Sequence, residues 1–327
     1  MKMRLSIQSR ELTDRQQGIL ARWQVAGRVP DLAAIDGLLR AGRWQTLYRG
    51  VYATYTGRPS RATKLWAGVL RCGPDAVLSH FTAAELDGIT DDPSQAIYVS
   101  IPQTTRIRVA PTEFRGRLPR IVLHRSPRVA SARHPVRLPP RTRVEETVLD
   151  LTDLARTFDA AFAWLSAACG RRLITPDQIR DAATKRARLR WRADVMGALE
   201  EITDGVLSNL ERHYLRNVQR PHGLPEPRRQ AHGERRGRSA YLDNLYEEFG
   251  LAVELDGLAS HQAETRWDDI HRDNHFAGAG IITLRYNWAD VTQRPCQVAA
   301  EIALTLRRRG WTGTLRNCRS CSVALAS

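Results

Sequence analysis

The sequence predicts a multidomain α/β protein, and three observations carry that prediction. At 327 residues the chain exceeds what one ordinary core absorbs, so two or three domains are expected. Near the N-terminus, two helical patterns lead into a short aromatic-rich ribbon. Near the C-terminus, an alternating hexapeptide is followed by a polar helix, an apolar strand and an amphipathic helix. That is the layout of a mixed sheet flanked by helices.

The apolar fraction of 42% and charged fraction of 26% are those of a globular chain. The charge balance departs from the ordinary: 50 Lys and Arg against 35 Asp and Glu leave a formal charge of +15. Arginine dominates the excess, and its planar fork suits phosphate. A polyanionic partner follows, with a GC-rich genome as the competing source of arginine. No window approaches the roughly 18 apolar residues needed to span a bilayer. Met1 to Arg10 lacks the apolar core of a secretion signal. The five cysteines are odd in number and scattered, as in a reducing compartment. These features predict a cytoplasmic protein without a membrane partner. Cys318 and Cys321 form a CxxC with no second pair or histidine close in sequence, so 313–327 is expected as a disordered tail.

Taken in order, Thr13 and Asp14 cap an expected helix through Ile19, Leu20, Trp23 and Val25, ended by Gly27. A second helix runs from Asp31 to Arg40, and Trp44 to Tyr52 forms a ribbon turning at Arg49-Gly50. This outline over 10–57 is that of a winged helix-turn-helix, with Arg40, Arg43 and Arg49 where double-stranded DNA would be met. A mixed α/β region follows over 60–200. Its expected elements are helices at 65–70, 77–89 and 144–168, strands at 96–101, 107–109 and 121–124, and a helix starting at Thr175-Pro176. The run from Lys185 to Arg192 is strongly basic and reads as a solvated face or a DNA contact.

The third domain is expected over 205–312. Ser208 and Glu211 have capping-box spacing at the start of a helix. In the hexapeptide Leu251 to Asp256, Leu251, Val253 and Leu255 point one way and Ala252, Glu254 and Asp256 the other. Glu254 and Asp256 thus share a face, about 7 Å apart by strand geometry. Asp243 comes from the preceding strand and suits an antiparallel neighbour. Three carboxylates at one sheet end make a hard-oxygen site for Mg²⁺ or Mn²⁺, able to assist attack on a phosphodiester. No organic cofactor is expected. His271 and His275 lie one helical turn apart without a third ligand of fitting spacing.

The series Leu210-Glu211, Tyr241-Leu242-Asp243, Val253-Glu254-Leu255-Asp256-Gly257, His261, Arg266-Trp267, Arg272-Asp273 and Leu284-Arg285-Tyr286 resembles the DUF559 family. That family is similar to the very-short-patch repair endonucleases, within the PD-(D/E)XK superfamily. The resemblance implies a restriction-endonuclease-like mixed sheet with Asp243 and Glu254 as metal ligands. It further implies Glu211 as the helix acid, His261 as a base or supporting group, and Arg266 and Arg272 as DNA contacts. The chain departs from the superfamily in having Asp256 where its lysine stands and Leu242 before Asp243, which leaves the general base open. Farther upstream, Ala41-Gly42-Arg43-Trp44, Arg49-Gly50-Val51-Tyr52-Ala53, Leu78-Ser79-His80 and Ala83-Ala84-Glu85-Leu86 resemble AbiEi-type antitoxins. Those proteins pair a winged helix with a second domain and repress a toxin operon.

Two functions are therefore expected: a Mg²⁺-dependent DNA endonuclease, with Asp243, Glu254, Asp256, His261 and Glu211 at its centre, or a non-catalytic antitoxin-like regulator with a cognate toxin. A protein-interaction module whose basic surface reflects base composition is the third reading.

Overall fold

A computed structural model describes residues 5–107, 109, 118–206, 208–235, 238–256, 277–319 and 321. The chain is mixed α/β and divides into two compact units, Met1–Arg192 and Ala193–Ser327. The regions expected as first domain and middle region thus fall almost entirely within one unit. Among the described residues no helix is long and apolar enough to cross a membrane.

The first unit opens with helix α1 (Ile7–Arg15), strand β1 (Ile19–Ala21) and a 3₁₀ turn (Arg22–Val25). Helix α2 (Val29–Arg40) and strands β2 (Gln45–Tyr48) and β3 (Val51–Ala53) follow. The helix expected across 13–25 is not formed. Gln17 and Gly18 both adopt positive φ, the Gly18 amide closes back onto Thr13 O, and the apolar residues beyond become β1. β1 pairs antiparallel with β3, which pairs with β2. All three residues of β1 are buried because the small sheet is covered on both faces. Leu20 packs with Ile35, Leu38 and Trp44, whereas Ile19 and Ala21 pack with Leu65, Val69 and Ile97. That second contact joins the sheet to the middle region in one core. Asp31, buried at the start of α2, accepts from Ser6 N, Ser6 Oγ and Ser9 Oγ at 2.6–2.8 Å and so fixes α1.

Helix α3 (Arg61–Arg71), strand β4 (Val77–Leu78), helix α4 (His80–Asp87) and strands β5 (Ile97–Pro102) and β6 (Ile121–Ser126) continue the unit. β5 lies between antiparallel β4 and parallel β6. The helix expected at 77–89 starts only at His80, since Val77 and Leu78 pair with β5. Residues 107 and 109, expected as strand, belong to neither strand nor helix. The short helix α5 (Val129–Ala132) leads to α6 (Val144–Leu154), α7 (Phe158–Gly170) and α8 (Pro176–Thr184). The single helix expected over 144–168 is broken at Ala155, whose extended backbone lets Thr157 cap α7. At α8 the Thr175–Gln178 capping box forms as the pattern requires.

The basic run after α8 is largely engaged within the unit. Arg186, with a fully buried side chain, reaches Glu146 and Asp150 (2.8 Å), with Asp153 at 3.5 Å. Arg190 donates to Ala155 O and stacks over Trp191, and Arg192 donates to Ala183 O.

Helix α9 (Arg192–Thr203) begins the second unit. Helix α10 (Asn209–His213) continues through a π-helical stretch (Tyr214–Gln219) into α11 (Arg220–His222). Strands β7 (Arg228–Arg235), β8 (Arg238–Tyr246), β9 (Leu251–Asp256) and β10 (Ile282–Asn287) form one sheet, ordered β10-β9-β8-β7. β7, β8 and β9 run antiparallel, and β10 is parallel to β9. Helices α12 (Trp288–Gln293) and α13 (Pro295–Arg308) follow. Leu251 and Val253 enter the core with Tyr214, Val218, Val298 and Ile302, and Ala252 packs on the other face with Ala231 and Leu242. β10, expected as a buried strand, lies at the sheet edge with Ile282 exposed. Gly250 turns the chain into β9 at φ +55, and a Cβ there would lie 2.6 Å from Arg309 Nη2.

The stretch 313–319, expected within a disordered tail, is placed. Leu315 packs on this core, and Arg316 N donates to His222 O at 2.8 Å.

Candidate functional site

Three strand registers set out the acidic site. Arg229 pairs with Asn244 and Ala231 with Leu242, so Gln230 lies level with Asp243. Asn244 pairs with Val253, which sets Asp243 beside Glu254, and Glu254 pairs with Arg285. Gln230, Asp243, Glu254 and Arg285 therefore form a line across the sheet from β7 to β10. The regular ladder between β8 and β9 stops at Asn244. Beyond it the Asp243 carboxylate takes over the backbone's part, accepting from Leu255 N at 2.9 Å. Gln230 sits on that line with positive φ, a local bend in β7 next to the acids.

Glu254 is buried, whereas Asp243 and Asp256 are half-buried at the mouth of the site. Burying a carboxylate is costly unless a cation compensates. Arg285 stands beside Glu254 as its register partner, and Arg285 Nη1 lies 3.1 and 3.4 Å from the two oxygens of Asp256.

Glu211 enters from α10. Ser208 Oγ accepts from Glu211 N at 3.0 Å, the first half of the expected capping box. The Glu211 carboxylate turns instead to β7, where Oε1 accepts from Gln230 Nε2 at 3.3 Å. The helix acid is thus linked to the line that holds Asp243 and Glu254. Its helix is held by Glu201 of α9, a buried carboxylate reached by Arg212 Nε at 3.2 Å and Arg216 Nε at 2.7 Å. Tyr214 and Tyr246 share a buried hydroxyl–hydroxyl bond of 2.8 Å that ties the same helix to the end of β8. Burial pushes the Tyr246 hydroxyl up to about 12 and raises that of Tyr214 well above its ordinary value, so both stay neutral and one donates to the other. Sequence reading missed Gln230 and Glu201: a glutamine in a strand and a glutamate within a helix carry no motif, and only the register and the π-helical stretch give them roles.

The donor set of Asp243 and Glu254 is hard carboxylate oxygen, which fits Mg²⁺ or Mn²⁺ in kind. His261, Arg266 and Arg272, together with His271 and His275, lie outside the described residues.

In the first unit, Arg40 ends α2, Arg43 follows it and Arg49 occupies the β2–β3 turn; all three are exposed. A cleft of about 420 Å³ beside that turn is lined by Arg22, Trp23, Arg49, Arg71 and Arg106 among others. Arg22, Arg71 and Arg106 escaped sequence reading because they come from three separate segments. Arg22 pairs with Asp36 at 2.9 Å, which raises its own pKa and lowers that of Asp36.

The chain matches no protein-family model, and no curated protein matches it.

Proposed function

We propose that this chain is a DNA-binding protein whose second unit carries a Mg²⁺-dependent endonuclease-like site for phosphodiester hydrolysis. The observation that carries the reading is the line of Asp243 and Glu254 across adjacent strands, bordered by Gln230 with its Glu211 contact and by Arg285. The resemblance to the PD-(D/E)XK nucleases assigns metal binding to the same two acids, and the mixed sheet packed against helices on the Leu251 and Val253 face agrees with it. Asp243 and Glu254 would hold the cation, which when bound draws charge off a scissile phosphate. Glu254 is buried, and the Asp243 carboxylate is held in place by its bond from Leu255 N. Delivery to duplex falls to the first unit. Its element order α1-β1-α2-β2-β3 and its sheet order β1-β3-β2 support the winged-helix reading, with Arg43 and Arg49 facing solvent.

Incubation of supercoiled plasmid with the full chain and Mg²⁺ or Mn²⁺, beside Glu254→Ala, tests this. Nicking by wild type and its loss in the variant are expected; equal and negligible nicking by both would remove the catalytic reading.

One observation favours the second function, an AbiEi-like regulator of a toxin operon. Asp256 stands at the superfamily's lysine position and is engaged by Arg285, so the site lacks the lysine. On that reading Glu254→Ala leaves operator binding intact and no nicking occurs in either protein.

A further inference from the structure

Four side chains outside the acidic site converge from three parts of the second unit. His222 ends α11, Cys296 is the second residue of α13, and Cys318 and Cys321 lie in the coil beyond it. One ligand atom from each lies within 4.8 Å of all the others. Cys321 Sγ is 3.5 Å from Cys296 Sγ, 3.6 Å from Cys318 Sγ and 3.5 Å from His222 Nε2. Cys296 Sγ and Cys318 Sγ are 3.6 Å apart.

These distances discriminate between chemistries. A disulfide brings two sulfurs to about 2.05 Å and leaves a third aside. Here three sulfurs are mutually equidistant. Ligand sulfurs about 2.3 Å from a tetrahedral ion stand about 3.8 Å from each other, and an imidazole nitrogen about 3.5 Å from each sulfur. The three sulfur–sulfur edges and the Cys321–His222 edge fit such a tetrahedron, slightly contracted. An iron–sulfur cluster places several metals and sulfides between its thiolates and spreads them farther.

The surroundings are arranged for a ligand. Val218 O can only accept, so its 2.8 Å contact with His222 Nδ1 puts the proton there and leaves the lone pair on Nε2, facing Cys321. Cys318 N donates to Cys321 Sγ at 3.3 Å, a bond that favours the thiolate, and Cys321 N donates to Cys318 O at 3.1 Å to close the turn. The coil is seated by Arg316 N on His222 O. Gly223, at φ +68, gives Arg316 room: a Cβ there would lie 3.0 Å from Arg316 Cδ.

We propose that His222, Cys296, Cys318 and Cys321 bind one Zn²⁺ as a structural clamp. Four protein ligands leave no position for substrate, which marks the site as structural. Thiolate and imidazole select zinc, whereas the carboxylates of the acidic site suit Mg²⁺, so the two sites do not compete for one ion. Binding deprotonates the three thiols and releases their protons, with no change of oxidation state. His222 and Cys321 stand 99 residues apart. The sheet that carries Asp243 and Glu254 lies between them, so the ion fastens the two ends of the segment that builds the acidic site. The CxxC is isolated only in sequence, because its partners come from 22 and 96 residues before Cys318.

Elemental analysis of the full chain, purified under reducing conditions without a metal-affinity step, tests the proposal. One zinc per chain is expected, retained in Cys169→Ser and lost in Cys318→Ser and Cys321→Ser. Replacement by Co²⁺ in wild type is expected to give the visible bands of tetrahedral cobalt with thiolate charge transfer, a readout that needs no variant to fold. A folded wild-type chain with substoichiometric zinc and no such cobalt spectrum would overturn the site. So would a Cys318–Cys321 disulfide in that preparation, or equal zinc loss from Cys169→Ser. None of these results depends on nicking activity.

Discussion

Arg285 on β10 holds Asp256 on β9 at 3.1 Å while standing in register with Glu254, so the residue lies beside both acids of the strand. Replacing Asp256 by Asn removes the charge of one carboxylate that Arg285 contacts. Arg285 is then expected to turn to phosphate, tightening duplex binding and steepening the logarithmic salt dependence by about 0.9, the slope of one phosphate contact. Arg285→Ala should not steepen it. Fluorescence anisotropy across a salt series reads both, and an unchanged slope for Asp256→Asn would show that Arg285 stays away from DNA.

Glu201 is the buried centre from which Arg212 and Arg216 are held. Glu201→Gln preserves the shape and removes the buried charge that faces the 7%-exposed Arg212. Breaking a buried pair from one side costs about 3–5 kcal/mol. Urea unfolding of the second unit should show a loss of that order, and nicking should fall with it because α10 carries Glu211. A loss below about 1 kcal/mol would mean that water reaches Arg212 freely.

How far this could be read in advance follows from the range of the signals. The alternation from Leu251 to Asp256 was legible because a strand's period is local, and Leu251, Val253 and Ala252 pack on the expected faces. The caps at Thr175 and Ser208 were legible for the same reason. Misreadings arose where one local feature outweighed a longer pattern. Gln17-Gly18 stops a helix whose apolar spacing continues, and the extended Ala155 divides another. Of the basic run at 185–192, expected as a solvated face or a DNA contact, Lys185, Arg188 and Arg190 are exposed. Arg186 is instead buried against Glu146, Asp150 and Asp153, more than thirty residues upstream and invisible to charge alone. The same distance hid the partners of Cys318 and Cys321. Pairing across the sheet was invisible for Gln230, whose place beside Asp243 depends on register.

His80 gives the first unit a pH dependence. It stacks on His124 with ring centroids 3.8 Å apart, and its Nδ1 lies 2.8 Å from Ser79 Oγ. Burial, then the charges of His124 and Arg186, depress its pKa to about 3, and burial also lowers that of His124. Because the folded value lies below the unfolded value near 6.5, the unfolded chain takes up the proton first. The stabilising contribution is complete above about pH 6.5 and is lost as pH falls toward 3. Asp150 works in the opposite direction, since burial raises it to about 6 and its protonation on acidification favours the folded state. His80→Asn isolates the histidine: asparagine accepts the positive φ at this position and does not titrate. The variant should lose less thermal stability than wild type between pH 7 and pH 4.5. Parallel losses would exclude His80 as the cause.

Arg49 and Arg22 line the same cleft but differ in what holds them. Arg22 donates to Asp36 at 2.9 Å, whereas Arg49 is exposed in the turn between β2 and β3. A guanidinium already engaged by a carboxylate releases fewer counterions on meeting DNA, because its charge is partly answered beforehand. Arg49→Ala and Arg43→Ala should each weaken duplex binding uniformly across sequences and reduce the salt slope by about 0.9. Arg22→Ala should change the slope much less, and Asp36→Ala should steepen it by freeing Arg22. Breaking that pair should leave the melting temperature close to that of wild type, since both side chains are nearly half exposed. Equal slope changes for Arg22→Ala and Arg49→Ala would place the duplex across the cleft itself, and no change for either would remove this face from DNA binding.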